Sequence, residues 1–369
     1  MIRLATVFSG IGAIEQALEK KEIPYEIVFA SDNGNINLKV TEEEIKEKID
    51  NLPVLEKKKY VDQLYKSTGK INYVEESYFA NYPISKDRFF QDVRFIDGTQ
   101  YKGKVDIFVG GSPCQSFSIN GKKAGLEDAR GTLFYEYARL VKEIQPKVFI
   151  YENVPHMLKH DGGKTWEAIR DIFDELEYDW DFQILNAKDF GLPQNRRRIF
   201  VVGFRKDLKV QLFRFPQGNT NIDQNVENYL EPSVDDIYYL PQKGFEYTTN
   251  PKNKKRVSVN AVISRCQAAN QQFNWCGDFR FETPKPQHFV DDRIYIGDFE
   301  GVEGVVRKLT PRECLRLMGF SDKFNIVVPD TKLYMQSGNS IAVPVLEAIM
   351  DQILLEGVFE TNVEYSYSI

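Results

Sequence analysis

Apolar runs alternate with helical patterns over roughly the first 200 residues of the chain. Short apolar runs, typical of buried strands, occur at residues 4–8, 25–30, 105–109, 148–151, 182–185 and 199–204. The helical patterns between them include residues 14–20, 132–144 and 165–176. Strands and helices that alternate in this way form a largely parallel sheet with helices on both faces. The pattern therefore predicts an α/β, doubly wound domain at residues 1–205.

Residues 35–80 interrupt this alternation with a highly charged stretch. Thr41, followed three residues later by Glu44, has the spacing of a capping box at a helix N-terminus. Pro53 can begin a second helix and Gly69 can end it. We interpret the stretch as a charged helical hairpin inserted in a loop, and we expect it to be a peripheral decoration.

The pattern changes again after the last of these strands. Residues 206–304 are rich in Asn, Gln, Pro and aromatic side chains and show little periodicity, which predicts a second, smaller domain. Helical order returns at residues 309–320. There Pro311 lies in the first turn of a short helix, and Gly319 follows the end of that helix.

Composition narrows the class of protein. Of the 369 residues, 42% are hydrophobic and 28% are charged, which is typical of a soluble globular protein. No apolar run approaches the roughly 18 residues that span a bilayer, and the N-terminus has no signal-peptide pattern. The four cysteines show no CxxC spacing, so neither a zinc site nor a disulfide framework is expected. We expect a cytoplasmic protein with no metal and no membrane contact.

Charge gives a mixed indication of the partner. The net charge of −6 argues mildly against nucleic acid, because phosphate binding usually requires a basic surface. An acidic protein can still contain a local basic cleft, and basic clusters occur at residues 196–198 and 252–256. For the second cluster, a solvated surface is the simpler interpretation.

A single thiol follows one of the predicted strands. Cys114 lies in the turn Gly-Gly-Ser-Pro-Cys-Gln-Ser, directly after the apolar run at residues 105–109. Ligands bind at such strand-to-loop edges of α/β sheets, and a thiolate is a strong nucleophile. A buried structural cysteine is the alternative, and we favour it for Cys314, on the inner face of its helix. The polar turn favours a functional thiol at Cys114.

A glycine turn follows the first predicted strand. The turn at residues 8–12, Phe-Ser-Gly-Ile-Gly, lets the backbone approach a cofactor closely. Asp32 follows the second strand, where a carboxylate can accept hydrogen bonds from a ribose diol. A tight turn needs glycine whether or not a ligand binds, but its pairing with an acid favours a nucleoside cofactor. The sequence has no third glycine at dinucleotide spacing, so a nucleotide without a pyrophosphate fits better than NAD.

Charged side chains lie at the ends of two further strands. Glu152 follows the run at residues 148–151 and lies beside Cys114 if the two strands are neighbours, where it could donate a proton. Arg196 and Arg198 share one face at the entry to the last strand and could hold a carbonyl oxygen or a phosphate. The alternatives, an acid bonded to backbone amides and a salt-bridged arginine pair, remain open.

Together these groups suit the methylation of cytosine at C5. That carbon is too electron-poor to take a methyl group directly. A thiolate that adds to C6, while an acid protonates N3, makes C5 nucleophilic towards the methyl group of S-adenosylmethionine. H5 is then lost and the thiol is eliminated. Arginine contact with O2 would stabilise the charge that develops in the ring.

The motifs and their order resemble those of the C5-cytosine DNA methyltransferases, over residues 1–34, 89–205 and 305–355. The matching residues are the turn at 8–12, Asp32, Asp92-Val93, Ser112-Pro113-Cys114-Gln115, Gly131-Thr132-Leu133-Phe134, Glu152-Asn153-Val154, Gln194, Arg196, Arg198, the segment 309–314 and Gly338-Asn339-Ser340. The resemblance implies an S-adenosylmethionine-dependent methyltransferase domain and a smaller target-recognition domain at residues 206–304. It also implies a hinge-side segment at residues 305–330 and a return to the catalytic domain at residues 331–369.

The resemblance also implies roles for individual residues. Cys114 would add to C6 of a flipped cytosine, Glu152 would assist at N3, and Arg198, with Arg196, would hold O2. The residues implied to bind S-adenosylmethionine, or its product S-adenosylhomocysteine, are Phe8, Ser9, Gly10, Ile11, Gly12, Asp32, Asn33, Asp92, Val93, Pro113, Leu133, Asn339 and Ser340. A loop at residues 116–130 resembles a lid that closes over the base. The implied DNA contacts in and beside it are Gln115, Ser118, Lys122, Lys123 and Arg130.

Base-reading residues are expected in the variable segment. The side chains of suitable type are Arg265, Gln267, Asn270, Gln271, Gln272 and Arg280. A polar loop exposed to solvent is the alternative for each of them.

The leading hypothesis is a site-specific DNA (cytosine-5-)-methyltransferase that acts on double-stranded DNA as a monomer. It would be the modification half of a restriction–modification pair, with the cognate endonuclease as a functional partner. The same chemistry on tRNA is the nearest alternative, and the long recognition segment disfavours it. A module that only binds DNA is disfavoured because the thiol, the acid and both arginines are present. A nicotinamide oxidoreductase is remote, since the chain lacks a dinucleotide loop.

Overall fold

In the computed structural model, the structure describes residues 1–113, 133–210, 213–219 and 224–359. The chain forms two compact units. The first unit consists of residues Met1–Leu185 and Arg197–Gln217 and of the chain from Leu346 onward. The second unit consists of residues Asn186–Arg196 and Gly218–Val345.

The first unit is built on one seven-stranded sheet. Its strands, in the described part of the chain, are β1 (Ile2–Val7), β2 (Tyr25–Ser31), β3 (Phe89–Phe90), β4 (Ile107–Gly110), β5 (Val148–Asn153), β6 (Tyr178–Asn186) and β7 (Arg197–Arg205). They lie in the order β3-β2-β1-β4-β5-β7-β6. The pairs from β3 to β5 are parallel, and β7 runs antiparallel to β5. The predicted α/β, doubly wound and mostly parallel sheet is therefore confirmed.

The helices of the first unit have apolar positions that recur on one face. They are α1 (Ala13–Lys20), α2 (Glu42–Ile49), α3 (Val54–Ser67), α4 (Tyr73–Asn81), α5 (Leu133–Ile144) and α6 (Lys164–Asp174). In α5, Phe134, Tyr137 and Val141 follow the three- and four-residue spacing of a buried face and belong to the main core. The six predicted strands all occur, with shifted ends. β3 was not predicted, because two residues carry no periodic signal.

The stretch at residues 35–80, all of it described, contains three helices rather than a two-helix hairpin. Thr41 and Glu44 form the predicted capping box of α2. Pro53 precedes α3, and Gly69 follows it with a φ of +68°, as predicted. The third helix, α4, begins after Asn72, whose side chain accepts hydrogen bonds from two backbone N–H groups.

The second unit has its own, smaller sheet. Its described strands are β8 (Val257–Val259), β9 (Gly277–Glu282), β10 (Gly297–Phe299) and β11 (Val302–Lys308), in the order β10-β11-β9-β8. Its helices are α7 (Gln242–Thr249), α8 (Pro311–Arg316) and α9 (Asp330–Asn339), and α10 (Val343–Leu355) crosses the sequence boundary between the units. A second core, which includes Phe245, Phe279 and Val306, lies against this sheet.

The unit boundaries differ from the expected domain boundaries at three places. Residues 206–217, expected in the recognition domain, belong to the first unit. Residues 186–196 and 331–345 belong to the second unit, although the sequence suggested the catalytic domain for both. The physical reason is local bonding within the second unit. The Gln194 side chain donates to the carbonyl oxygen of Leu317 at 2.8 Å, and Arg196 donates to the carbonyl oxygen of Gly338 at 3.0 Å.

One apolar stretch, Asp330–Leu355, is long enough to cross a membrane by length and composition. Half of its most apolar window is buried within the protein. A core helix of a globular protein can have the same length and composition, so the stretch is weak evidence for a membrane span.

Candidate active site

The glycine turn follows β1 and is shaped by left-handed backbone. Phe8, Gly10 and Gly12 have φ values of +52°, +53° and +77°. A Cβ atom on Gly10 would meet no heavy atom within 4 Å, so open space lies beside the turn. The Ser9 hydroxyl accepts a hydrogen bond from the N–H of Ser31 at 3.0 Å, which ties the turn to the end of β2.

Asp32 lies beside this turn, as the sequence predicts. Its carboxyl accepts hydrogen bonds from the backbone N–H groups of Gly10 at 3.0 Å and Gly34 at 2.9 Å. Burial raises the pKa of Asp32, and these two N–H groups oppose the shift. A carboxylate has about four acceptor positions, so two donors from the described chain leave room for two hydroxyls of a ligand. The turn and Asp32 thus fit a nucleoside with vicinal hydroxyl groups.

Asp92 and Val93 follow β3, whose neighbour in the sheet is β2. The Asp92 carboxyl accepts hydrogen bonds from Arg94 Nε at 2.9 Å and Nη2 at 2.6 Å, and from the Tyr65 hydroxyl at 2.8 Å. The partner Tyr65 belongs to the inserted helix α3, and nothing in the charged sequence of that helix indicates the contact.

The ends of β4 and β5 lie side by side, as required for Glu152 to approach the thiol turn. The strands are parallel, and Gly110 pairs with Tyr151. A Cβ atom on Gly111 would lie 2.9 Å from a carboxylate oxygen of Glu152, so glycine is needed for this close approach. Next along the chain, the Asn153 side chain donates to the carbonyl oxygen of Ser112 at 3.0 Å. These contacts fix the backbone that leads through Pro113 towards Cys114.

Glu152 and Arg198 form an ion pair in the first unit. Arg198 Nε lies 3.0 Å from Glu152 Oε1, and about one-sixth or less of each side chain is exposed. The pair joins the end of β5 to the start of β7, which are neighbouring antiparallel strands. An acid and a guanidinium are therefore held together at the carboxyl edge of the sheet, with the acid beside Gly111, which follows β4.

Comparison with known proteins adds an independent observation. The model of the family described as C-5 cytosine-specific DNA methylase matches residues 55–355. The chain belongs to this family. Membership identifies the chain as an enzyme of the DNA cytosine-5-methyltransferase class, with the fold that the sheet order indicates.

Named relatives agree with this family. The type II methyltransferase M1.ScrFI of Lactococcus lactis subsp. cremoris is 40% identical over 68% of this chain and 62% of its own length. M.SsoII of Shigella sonnei is 38% identical over 76% of this chain and 71% of its own length. Among solved structures, S. pombe Dnmt2 methyltransferase matches 97% of this chain and 99% of its own, with a TM-score of 0.64 and 17% identity. That likeness concerns the fold.

Several predicted residues of this methyltransferase lie outside the described residues. They are Cys114, Gln115, Ser118, Lys122, Lys123 and Arg130. Of their neighbours, Pro113 is exposed, and Leu133 begins α5 and packs partly against the main core.

Arg196 has a different environment from Arg198 in this methyltransferase. Its guanidinium is buried in the second unit and donates to the carbonyl oxygens of Gln267 at 2.8 Å and Gly338 at 3.0 Å. Ser340, predicted to bind the cofactor, also accepts a hydrogen bond from Arg196 through its carbonyl oxygen. Asn339, at the end of α9, is exposed. The Arg196 contacts favour the structural alternative for this arginine.

The nominated base readers of the methyltransferase need correction. The side chains of Gln267, Gln271 and Gln272 are buried and donate to carbonyl or side-chain oxygens of the second unit. Arg280 is buried and paired with Glu227 at 2.9 Å. These side chains bond to groups of the second unit, so the alternative of an exposed polar loop is wrong for all four.

Arg265 and Asn270 complete the nominated set. Arg265 is half-buried, and its guanidinium donates to the carbonyl oxygens of Lys254 and Lys255. Asn270 is exposed and keeps its place as a candidate base reader. The predicted buried position of Cys314 is confirmed, and burial raises the pKa of its thiol well above the usual range.

Proposed function

We propose that this chain transfers a methyl group to C5 of a cytosine flipped out of duplex DNA. The observation that carries the proposal is the Glu152–Arg198 pair, held one strand from the turn that leads to Cys114. The match to the family in sequence supports the same assignment.

The proposed reaction consists of addition to the ring, methyl transfer and elimination. The Cys114 thiolate forms a bond to C6, and Glu152 supplies a proton to N3, which makes C5 an enamine-like carbon. S-adenosylmethionine, when bound, would supply the methyl group: C5 would form a bond to the methyl carbon while the methyl–sulfur bond breaks and S-adenosylhomocysteine leaves. A base then removes H5, the C6–sulfur bond breaks to regenerate the thiolate, and N3 returns its proton to Glu152. Arg198 contacts O2, and we leave Arg196 out of this role because its donors go to backbone carbonyls.

The cofactor would lie along the carboxyl ends of β1 and β2. The turn at residues 8–12 offers open space, and Asp32 offers acceptor positions for ribose hydroxyls. Asn33, Asp92, Val93, Pro113, Leu133, Asn339 and Ser340 remain proposed cofactor contacts. Double-stranded DNA is the proposed substrate, the protein is a cytoplasmic monomer, and a cognate restriction endonuclease is its functional partner.

Methyl transfer to duplex DNA tests the proposal. Purified protein should transfer tritiated methyl groups from S-adenosylmethionine to duplex DNA and not to tRNA, and Cys114→Ala should abolish transfer. Cys276→Ala, which removes a half-buried thiol of the second unit, is the matched control and should retain activity.

A covalent trap tests the thiol directly. In DNA that carries 5-fluorocytosine, and with S-adenosylmethionine present, methyl transfer gives a C5 that has no H5 to lose. Fluorine cannot leave as a cation, so elimination is blocked and the adduct at C6 should persist. Denaturing electrophoresis should show this adduct with the wild type and Cys276→Ala, and not with Cys114→Ala. Full methyl transfer by Cys114→Ala would refute the role of the thiol.

A further inference from the structure

The inserted helices form a small core of their own beside the predicted cofactor edge. Ile45 and Ile49 of α2 pack with Val61 and Tyr65 of α3. Phe95, three residues after Asp92, packs against the same core. The insertion is therefore packed against the turn that follows β3.

The Tyr65 side chain packs in this core, and its hydroxyl contacts the Asp92 carboxyl. It donates to Oδ2 at 2.8 Å, and the group is buried. Arg94 donates to the same carboxyl through Nε, Nη2 and its backbone N–H. Four donors of the described chain thus fill about four acceptor positions, and the orientation of the carboxyl is fixed. The 92–95 turn, which carries Val93, is fixed with it.

A second contact ties the insertion to the other acid. The Asn72 side-chain amide donates to the carbonyl oxygen of Asp32 at 2.8 Å and to Gln91 Oε1 at 2.9 Å. Its own oxygen caps α4. A Cβ atom on Gly34 would lie 2.2 Å from that oxygen, so the Asp32 loop and the insertion are in close contact. The insertion therefore contacts both acid positions of the edge.

We propose that the inserted helices are part of the cofactor site and that Tyr65 is a positioning residue that acts through Asp92. The inference rests on the proposed function. The ligand concerned is the adenosine portion of S-adenosylmethionine. Tyr65 and Asp92 hold the turn that carries Val93 in its binding shape, so that binding does not have to order it.

Tyr65→Phe removes the hydroxyl and keeps the ring in the small core. Calorimetry with S-adenosylhomocysteine should show a dissociation constant about 5-fold higher than that of the wild type. In methyl transfer, KM for S-adenosylmethionine should rise in parallel, while kcat and KM for DNA stay unchanged. A loss of folded protein would instead lower the apparent kcat and leave both KM values unchanged, so a rise in KM for S-adenosylmethionine alone identifies positioning.

Tyr60→Phe is the matched control, because Tyr60 lies on the same helix and packs half-buried against the same core. It should bind S-adenosylhomocysteine as the wild type does. Asp92→Asn and the double variant Tyr65→Phe/Asp92→Asn complete a double-mutant cycle. If Tyr65 acts through Asp92, the double variant should bind about as weakly as Asp92→Asn alone.

Two outcomes would overturn the inference while leaving the proposed function intact. In the first, the wild type binds S-adenosylhomocysteine and Tyr65→Phe binds it equally tightly. In the second, the losses of binding free energy caused by Tyr65→Phe and Asp92→Asn add in full in the double variant. A wild type that does not bind S-adenosylhomocysteine would remove the proposed function, and this inference with it.

Discussion

At the scale of single residues, three carboxyls near β1 and β2 differ in the donors that surround them. The Asp92 carboxyl has donors from Arg94 and Tyr65, and that of Asp32 has two backbone N–H groups. Glu15 on α1 is fully buried and accepts a hydrogen bond from the Tyr78 hydroxyl. These differences give the three groups different roles: an anchor for a turn, a candidate ligand for hydroxyls, and a buried acid.

Glu15 makes the stability of the first unit depend on pH. Burial raises its pKa from 4.5 to about 7, so the folded protein retains a proton that the unfolded chain releases. The contribution of this group to stability is complete below pH 4.5 and is lost as pH rises through about 7. Glu15→Gln should therefore stabilise the protein by about 3 kcal/mol at high pH.

Thermal unfolding of the wild type and Glu15→Gln across this pH range checks the direction of the pH dependence. The melting temperatures should converge near the acid end and separate near pH 8, with the variant higher. A constant difference at every pH would contradict the buried acid. Glu19→Gln is the comparison variant, because Glu19 follows Glu15 by one turn of α1 and is far more exposed.

At the scale of elements, the turn between β1 and α1 depends on glycine for two separate reasons. Gly10 needs its positive φ, and Gly12 needs both its positive φ and its lack of a side chain. A Cβ atom on Gly12 would lie 2.2 Å from the ring of Tyr82, whose hydroxyl donates to the carbonyl oxygens of Ile11 and Gly12. The residue that follows α4 thus limits what the turn can contain.

Alanine substitutions at Gly10 and Gly12 distinguish the cost of backbone strain from the cost of a steric clash. Gly10→Ala should cost about 1 kcal/mol of unfolding free energy, the cost of left-handed backbone alone. Gly12→Ala should cost clearly more, because Tyr82 must also move. Urea unfolding of both variants is the measurement. Equal losses of unfolding free energy would show that the ring of Tyr82 moves aside at no cost.

In the second unit, β11 and α8 are joined by a buried charge pair. Arg307 donates to both carboxylate oxygens of Glu313, at 2.8 and 2.9 Å, and both residues are buried. Glu313 also completes the capping box of α8 with Thr310. The same carboxylate therefore neutralises a buried guanidinium and begins a helix.

Glu313→Gln should destabilise the second unit by about 3 kcal/mol, because the buried Arg307 guanidinium loses its buried counter-charge and keeps only Glu282, whose Oε1 lies 2.6 Å from Arg307 Nε. Asp291→Asn, which breaks the exposed pair with Arg293, is the control and should leave thermal unfolding unchanged. Calorimetric scans of both variants check the contrast. A small loss of stability with Glu313→Gln would mean that Glu282 alone is enough to neutralise Arg307.

At the scale of the whole molecule, an acidic chain has to bind a polyanion. The net charge is −6, yet residues 252–256 include four exposed basic side chains, as the interpretation of a solvated cluster predicted. Phosphate neutralisation releases counterions, so it gives binding a characteristic salt dependence. That dependence can be measured without knowledge of the target sequence.

Duplex DNA should bind about 10³-fold more weakly at about 200 mM than at about 50 mM salt. S-adenosylhomocysteine is the internal control, because its binding needs no phosphate contacts and should change little over the same range. Fluorescence anisotropy and calorimetry give the two curves. Equal salt dependence for both ligands would rule out a phosphate-binding cleft.

The sequence by itself determined the alternation of strands and helices, the glycine turn, Asp32, Glu152 and the motif order that marks the family. These features depend on neighbours within a few residues, where periodicity and turn chemistry are decisive. The cap at Thr41 and the glycine that follows α3 were predictable for the same reason.

Tertiary structure alone decided which polar side chains face a site and which satisfy the interior. Arg196 and Gln267 have the residue types of ligand contacts, yet they bond to oxygens more than 40 residues away. Tyr65 has no local signal, yet it holds Asp92. Buried donors and acceptors must find partners wherever the fold brings them, and this long-range requirement leaves no pattern in the sequence.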